Sequence, residues 1–159
     1  MTGTAKPQRA VPVRATTSGS FDADSDYCGG FAIDLPSRNE GSTEQWARTI
    51  LEGAPVALRW FIVAGWRFVL GLRLGPRHST EHILGWRITR RLHDETVLEV
   101  RSAFLTAHLV FDRDGSRLVW STFVRYDRRI AALIWPPVSL LHRRIVPYTL
   151  ARAAPRVST

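Results

Sequence analysis

The 159-residue chain is 45% hydrophobic and 23% charged, which excludes a disordered or fibrous polypeptide and leaves room for one globular domain. At this length roughly 70% of the unfolded surface is buried on folding, so a core needs no metal or disulfide, and the single Cys28 fits a reducing cytoplasm. The net charge of +8 invites an acidic partner, yet Lys6 is the only lysine and the 21 arginines are scattered through every segment, the pattern of a solvated surface rather than of a nucleic-acid stripe.

Residues 1–20 hold Lys6, Arg9 and Arg14, no acid, and many Ser, Thr and Pro. That composition predicts a disordered tail over residues 1–26 and matches no secretory signal. "YCGGFAIDLP" then reads as a short strand, with Phe31, Ile33 and Leu35 alternating against Ala32 and Asp34. Pro36 to Gly41 is a polar loop. "STEQW" opens a helix through a capping box, Ser42 accepting from the N3 amide and Gln45 reaching back. Trp46, Ile50 and Leu51 supply its apolar stripe, and Gly53 suits the left-handed position past its end.

Pro55 suits the first turn of a second helix over residues 55–74, where Trp60, Val63, Ala64, Arg67, Leu70 and Leu74 follow helical spacing. The stretch is long enough to span a bilayer, but Arg59 and Arg67 would each cost about 2.5–3.5 kcal/mol near its centre. A helix apolar nearly all round is instead expected to be a buried core helix.

From His82 to Arg128 the hydrophobic period becomes two, and three runs read as strands: "HILGWRITRR", "TVLEVRSAFLTAHLVF" and "RLVWSTFVRYD". Matching the apolar faces of the first two requires the loop Leu92–His93–Asp94 and sets Arg87 opposite Glu99, an ion pair that accounts for Glu99 without catalysis. Asp114–Gly115 carries a two-residue turn signal, which pairs Leu109 with Trp120, Ala107 with Thr122 and Leu105 with Val124. His108 then faces outward beside Ser121; a longer turn would bring it inside. The alternation slips near Phe104–Leu105, where a bulge or break is expected. Pro136 and Pro137 interrupt the next segment, and Pro137 suits the first position of a terminal helix with Ile134, Val138, Leu141, Ile145 and Tyr148 as its stripe. Pro147 cannot donate to the Arg143 carbonyl, which predicts a kink beside His142, Arg143 and Arg144. Residues 154–159 form a short tail.

The chain lacks a nucleophile elbow, a phosphate-cradling loop and metal-ligand spacing. His78 and His82 are four apart but lead into a strand, so no metal or other cofactor is expected.

The order strand, two helices, antiparallel strands and long terminal helix predicts an α+β fold, a curved antiparallel sheet wrapped around the last helix. It resembles the helix-grip architecture of START-domain, pollen-allergen and polyketide-cyclase-like proteins. "LGWRI", "LEVRS", "STFVRYDR" and "HRRIVP" resemble, over residues 27–153, a bacterial domain-of-unknown-function family, number 2867. The resemblance brings no catalytic residues with it and implies a cavity between sheet and terminal helix. The residues offer Trp86, Val100, Ser102, Trp120, Thr122 and Tyr126 as its lining, with His142 or Arg143 at its mouth. Three readings follow. The first is a binder of a small hydrophobic molecule or lipid. The second is a cyclase or dehydratase moving a proton with Tyr126, His108 or His142. The third is a basic surface for anionic membrane or nucleic acid.

Overall fold

The computed structural model describes residues 9–14, 21, 23–35, 41–77 and 79–153. A seven-stranded antiparallel sheet takes the order β1-β2-β7-β6-β5-β4-β3, with β1 at Val11–Val13, β2 at Tyr27–Asp34, β3 at His82–Ile83, β4 at Trp86–Arg91, β5 at Glu95–Arg101, β6 at Leu105–Asp114 and β7 at Arg117–Tyr126. Helices α1 (Thr43–Leu51) and α2 (Val56–Ala64) lie between β2 and β3, and α3 (Ala131–Ala153) closes the chain. The α+β class and the long terminal helix are as expected. One strand falls inside the expected tail: Val11 pairs with Ala32 and Val13 with Gly30.

The sheet holds more strands than the sequence pattern separates. Residues 82–91 form a hairpin, because Leu84 (φ 49°) and Gly85 (φ 90°) both adopt left-handed backbone, the requirement of a tight two-residue turn. For a leucine this conformation costs about 1–2 kcal/mol, and burial of its side chain in the core holds it there. The expected long strand over residues 96–111 is two strands, folded at Ser102–Phe104 so that Glu99 faces His108 and Arg101 faces Thr106. The slip in alternation near Phe104 was this reversal. Ser102 Oγ accepts from the backbone amides of Phe104 and Leu105, which turns the chain.

Arg87 opposes Glu99 and Ile88 opposes Leu98, as the apolar faces require. The connection is tighter than expected, with Leu92 donating to the Glu95 carbonyl, and an irregularity between Ile88 and Arg90 restores the register. The β6–β7 turn lies one residue later than expected. Asp114 pairs with Arg117 around Gly115 (φ 58°), so Leu109 opposes Thr122, Phe111 opposes Trp120 and Ala107 opposes Val124. The two-residue shift leaves every side chain on its expected face, because sheet faces repeat with period two.

Helix α1 carries the expected capping box: Ser42 Oγ accepts from the Gln45 amide at 3.3 Å and Gln45 Oε1 accepts from the Ser42 amide at 3.0 Å. Trp46, Ile50 and Leu51 are buried against the sheet. Gly53 is not left-handed; a Cβ there would sit 2.3 Å from the Thr49 carbonyl oxygen, so close approach selects glycine.

The second helix overturns its expectation. It ends at Ala64 and continues as one π-helical turn over Gly65–Val69, with Leu70 N–H bonded to the Gly65 carbonyl. Val63 is its only buried residue, whereas Trp60, Phe61, Phe68 and Val69 face solvent, Phe68 at 83% exposure. Apolar composition predicted burial, but of α2 only Val63 reaches the core cluster that α1, α3 and the strands form. Helix α3 also starts earlier than expected, at Ala131, and runs through Pro136, Pro137 and Pro147.

Candidate functional site

The inner face of the sheet, α3 and the α2–π segment enclose a cavity of about 420 Å³. Its floor comes from alternate residues of adjacent strands: Ala107 and Leu109 of β6, Trp120 and Thr122 of β7, and Trp86 of β4. Helix α3 supplies Trp135, Val138, His142, Val146 and Thr149, Trp66 and Leu70 line it from the π turn and its end, and Phe61, Phe68 and Val69 form the wall nearest solvent. This volume falls within the range of small-molecule sites, roughly 300–1,000 Å³.

The lining is mostly carbon; besides the tryptophan indole nitrogens and Thr149, whose hydroxyl donates to carbonyls of its own helix, one polar pair interrupts it. Thr122 Oγ1 and His142 Nε2 lie 3.4 Å apart, joining the sheet to α3 across the cavity. Three aromatic rings surround the imidazole: Trp135 at 5.8 Å and Trp120 and Tyr27 each at 6.5 Å between centroids. Burial in this apolar setting, assisted by the positive charge of Arg143, pushes the His142 pKa down to about 4, so the ring is neutral at pH 7. Its Nδ1 is buried without a hydrogen-bond partner among the described residues, as are the indole nitrogens of Trp86, Trp120 and Trp135. Buried orphans are rare in a finished core; here four belong to residues lining one cavity.

The expected lining is sorted by this geometry. Trp86, Trp120, Thr122 and His142 border the cavity. Val100 is buried in the core away from it, and Ser102 is engaged in the β5–β6 turn. Tyr126 shares the inner face but ends β7 beside Leu105, outside the cavity wall. Arg143 is not part of the cavity lining; its guanidinium lies 5.8 Å from the Tyr27 ring centre. The sequence reading missed Trp135, Trp66 and the α2 aromatics. The spacing of Trp135, Val138 and His142 along α3 was the available signal, obscured by Pro136 and Pro137.

His108 lies on the outer face. Its Nε2 is 3.0 Å from Glu99 Oε2, and Phe21 stacks over its ring at 4.6 Å. Glu99 does not turn to Arg87; it accepts from Arg101 Nε at 2.9 Å. Burial would raise the Glu99 pKa, but hydrogen bonds from His108 and Arg101 bring it below the usual value. Burial lowers the His108 pKa, with Glu99 opposing that shift. The Glu99–His108 hydrogen bond staples β5 to β6, and neither residue lines the cavity.

No group of three or more potential metal ligands occurs among the described residues, and no helix among them is long and apolar enough to cross a membrane. His78, one of the two histidines weighed as a metal pair, lies outside the described residues. Neither the curated proteins nor the solved structures contain a match to the chain. A family model does match residues 21–149, most of its length, a span that includes β2 to β7 and most of α3. The chain belongs to the family described as protein of unknown function DUF2867.

Proposed function

We propose that this chain is a helix-grip protein that binds a small hydrophobic or lipid-like molecule between the sheet and α3. The observation that carries the reading is the roughly 420 Å³ apolar cavity crossed by a single polar pair, Thr122 and His142. Apolar walls supply most of the affinity, and a few placed polar groups orient the ligand. A neutral imidazole and a hydroxyl can each donate to or accept from one polar ligand group, so an alcohol, carbonyl or protonated acid on an apolar skeleton fits better than a charged one.

Binding is favoured over cyclase or dehydratase chemistry by the same residue. A histidine held near pKa 4 is a weak base at pH 7, and the cavity lining contains no carboxylate to assist it. Native mass spectrometry and thermal-shift measurements with fatty alcohols, fatty acids and aromatic polyketides test the proposal. The expected result is a one-to-one adduct and a raised Tm for at least one class. His142→Leu should keep affinity for apolar skeletons while losing the preference for a polar head. No adduct from the whole panel overturns the reading.

A further inference from the structure

The positive charge of this protein is not spread as the arginines are. Residues 53–80 contain four arginines and no acid, and residues 128–159 contain six arginines and no acid. These two segments hold ten of the 22 basic residues and none of the 14 acidic ones, so the rest of the chain has no positive excess. Scattered arginine conceals this pattern, because the asymmetry lies in where the acids are missing.

The same two segments border the mouth of the cavity. Phe61, Phe68, Val69 and Leu141 each line the cavity and are also exposed, and Trp60 and Val56 extend the apolar surface along α2. Arg67, Arg73, Arg77, Arg143 and Arg144 are exposed and form no ion pair among the described residues. On the strands most arginines are partnered, Arg90 with Glu95, Arg101 with Glu99, Arg117 with Asp34 and Arg125 with Asp127, while Arg87 of β4 forms no ion pair among the described residues. Exposed aromatics beside unpaired arginines, with no acid among them, fit a surface that is apolar below and anionic above.

We propose that the α2–π segment and α3 seat the cavity mouth on an anionic lipid surface. The apolar rim enters the boundary between head groups and acyl chains, and the arginines extend along it to the phosphates. The helices lie on the bilayer rather than span it. A second copy is a poorer occupant, since a two-fold interface would set arginine-only surfaces against each other. Residues 1–20 are also acid-free, with Lys6, Arg9 and Arg14, and do not complement this face. Nucleic acid would be met by the charges but not by Val56, Val69 and Leu141, which neither stack nor hydrogen-bond.

Co-sedimentation of the full chain with vesicles of phosphatidylglycerol and phosphatidylcholine, against phosphatidylcholine alone, tests this. Retention on the anionic vesicles is expected, weakening as salt is raised. Arg67→Glu and Phe68→Asp should each lower partitioning by about tenfold or more. Arg87→Glu, the same charge change on the opposite face of the sheet, should alter it by less than about twofold. Unchanged urea midpoints for the three variants establish that each is folded. Several outcomes overturn the proposal: no retention on anionic vesicles, equal losses for Arg67→Glu and Arg87→Glu, or self-association that Phe68→Asp abolishes. Salt-dependent retention of DNA lost in Arg67→Glu but kept in Phe68→Asp would assign the face to nucleic acid instead. The ligand measurements contain no vesicles, so failure of one reading is distinguishable from failure of the other.

Discussion

Two histidines on opposite faces of one sheet have different environments. His108, on the outer face, meets a carboxylate at 3.0 Å and a phenyl ring, and its bonding is local to the β5–β6 hairpin. His142 reaches the inner face from α3, meets one hydroxyl at 3.4 Å and keeps Nδ1 buried without a partner among the described residues. Burial depresses both pKa values, but only His108 has a neighbouring anion to oppose the shift. A titratable group with its partners in place is explained by folding. One that is buried in a cavity with spare hydrogen-bonding capacity is left over after folding, and that remainder is where a ligand is sought.

The largest expected effect tests whether the outer face is a packed layer. Phe123 is fully buried there with Val97 and Val110, and Phe21 packs against the cluster. Phe123→Ala should cost about 3–5 kcal/mol in urea denaturation. A loss below about 1 kcal/mol would show that this face is not a packed layer and would dissolve the contrast.

The second effect comes from His142. Its folded pKa of about 4 lies below the 6.5 of an ordinary histidine, so between these values the unfolded chain binds the extra proton. Its contribution to stability is therefore complete above pH 6.5 and is lost as pH falls toward 4, on the order of 3 kcal/mol. Urea midpoints measured from pH 7.5 to about pH 4 should decline, and His142→Leu should flatten much of that slope. An unchanged slope in the variant would mean that the imidazole is not held neutral in the cavity.

The smallest effect concerns the outer pair. Glu99→Gln removes the anion that raises the His108 pKa, so His108 should titrate at still lower pH by NMR. Because the pair is partly exposed, the cost in stability should be about 1 kcal/mol or less. A His108 pKa that rises in this variant would contradict the assigned pairing.

Much of this molecule was legible from local chemistry. The α1 capping box and the Arg87–Glu99 register each follow from spacing over a few residues, and the structure contains both; the face of His108, open between two turn lengths in the sequence, is the outer one, opposite Phe123. Trp86, Trp120 and Thr122 could be placed inward because alternation along a strand is strict. Strand number was harder to read, since the reversals at Leu84–Gly85 and Ser102–Phe104 lack strong turn dipeptides. A leucine with positive φ has no sequence signature, being held by what it packs against.

By itself the sequence determined which residues alternate, where the first helix is capped, and that ten arginines stand in two segments without acids. Only the tertiary structure decided that the α2 aromatics face water and that His142 meets Thr122 across a cavity. Periodicity and capping are set by neighbours within a turn or two of the chain. Burial depends on how much inner sheet surface is left uncovered, which is settled only when all the elements compete for it.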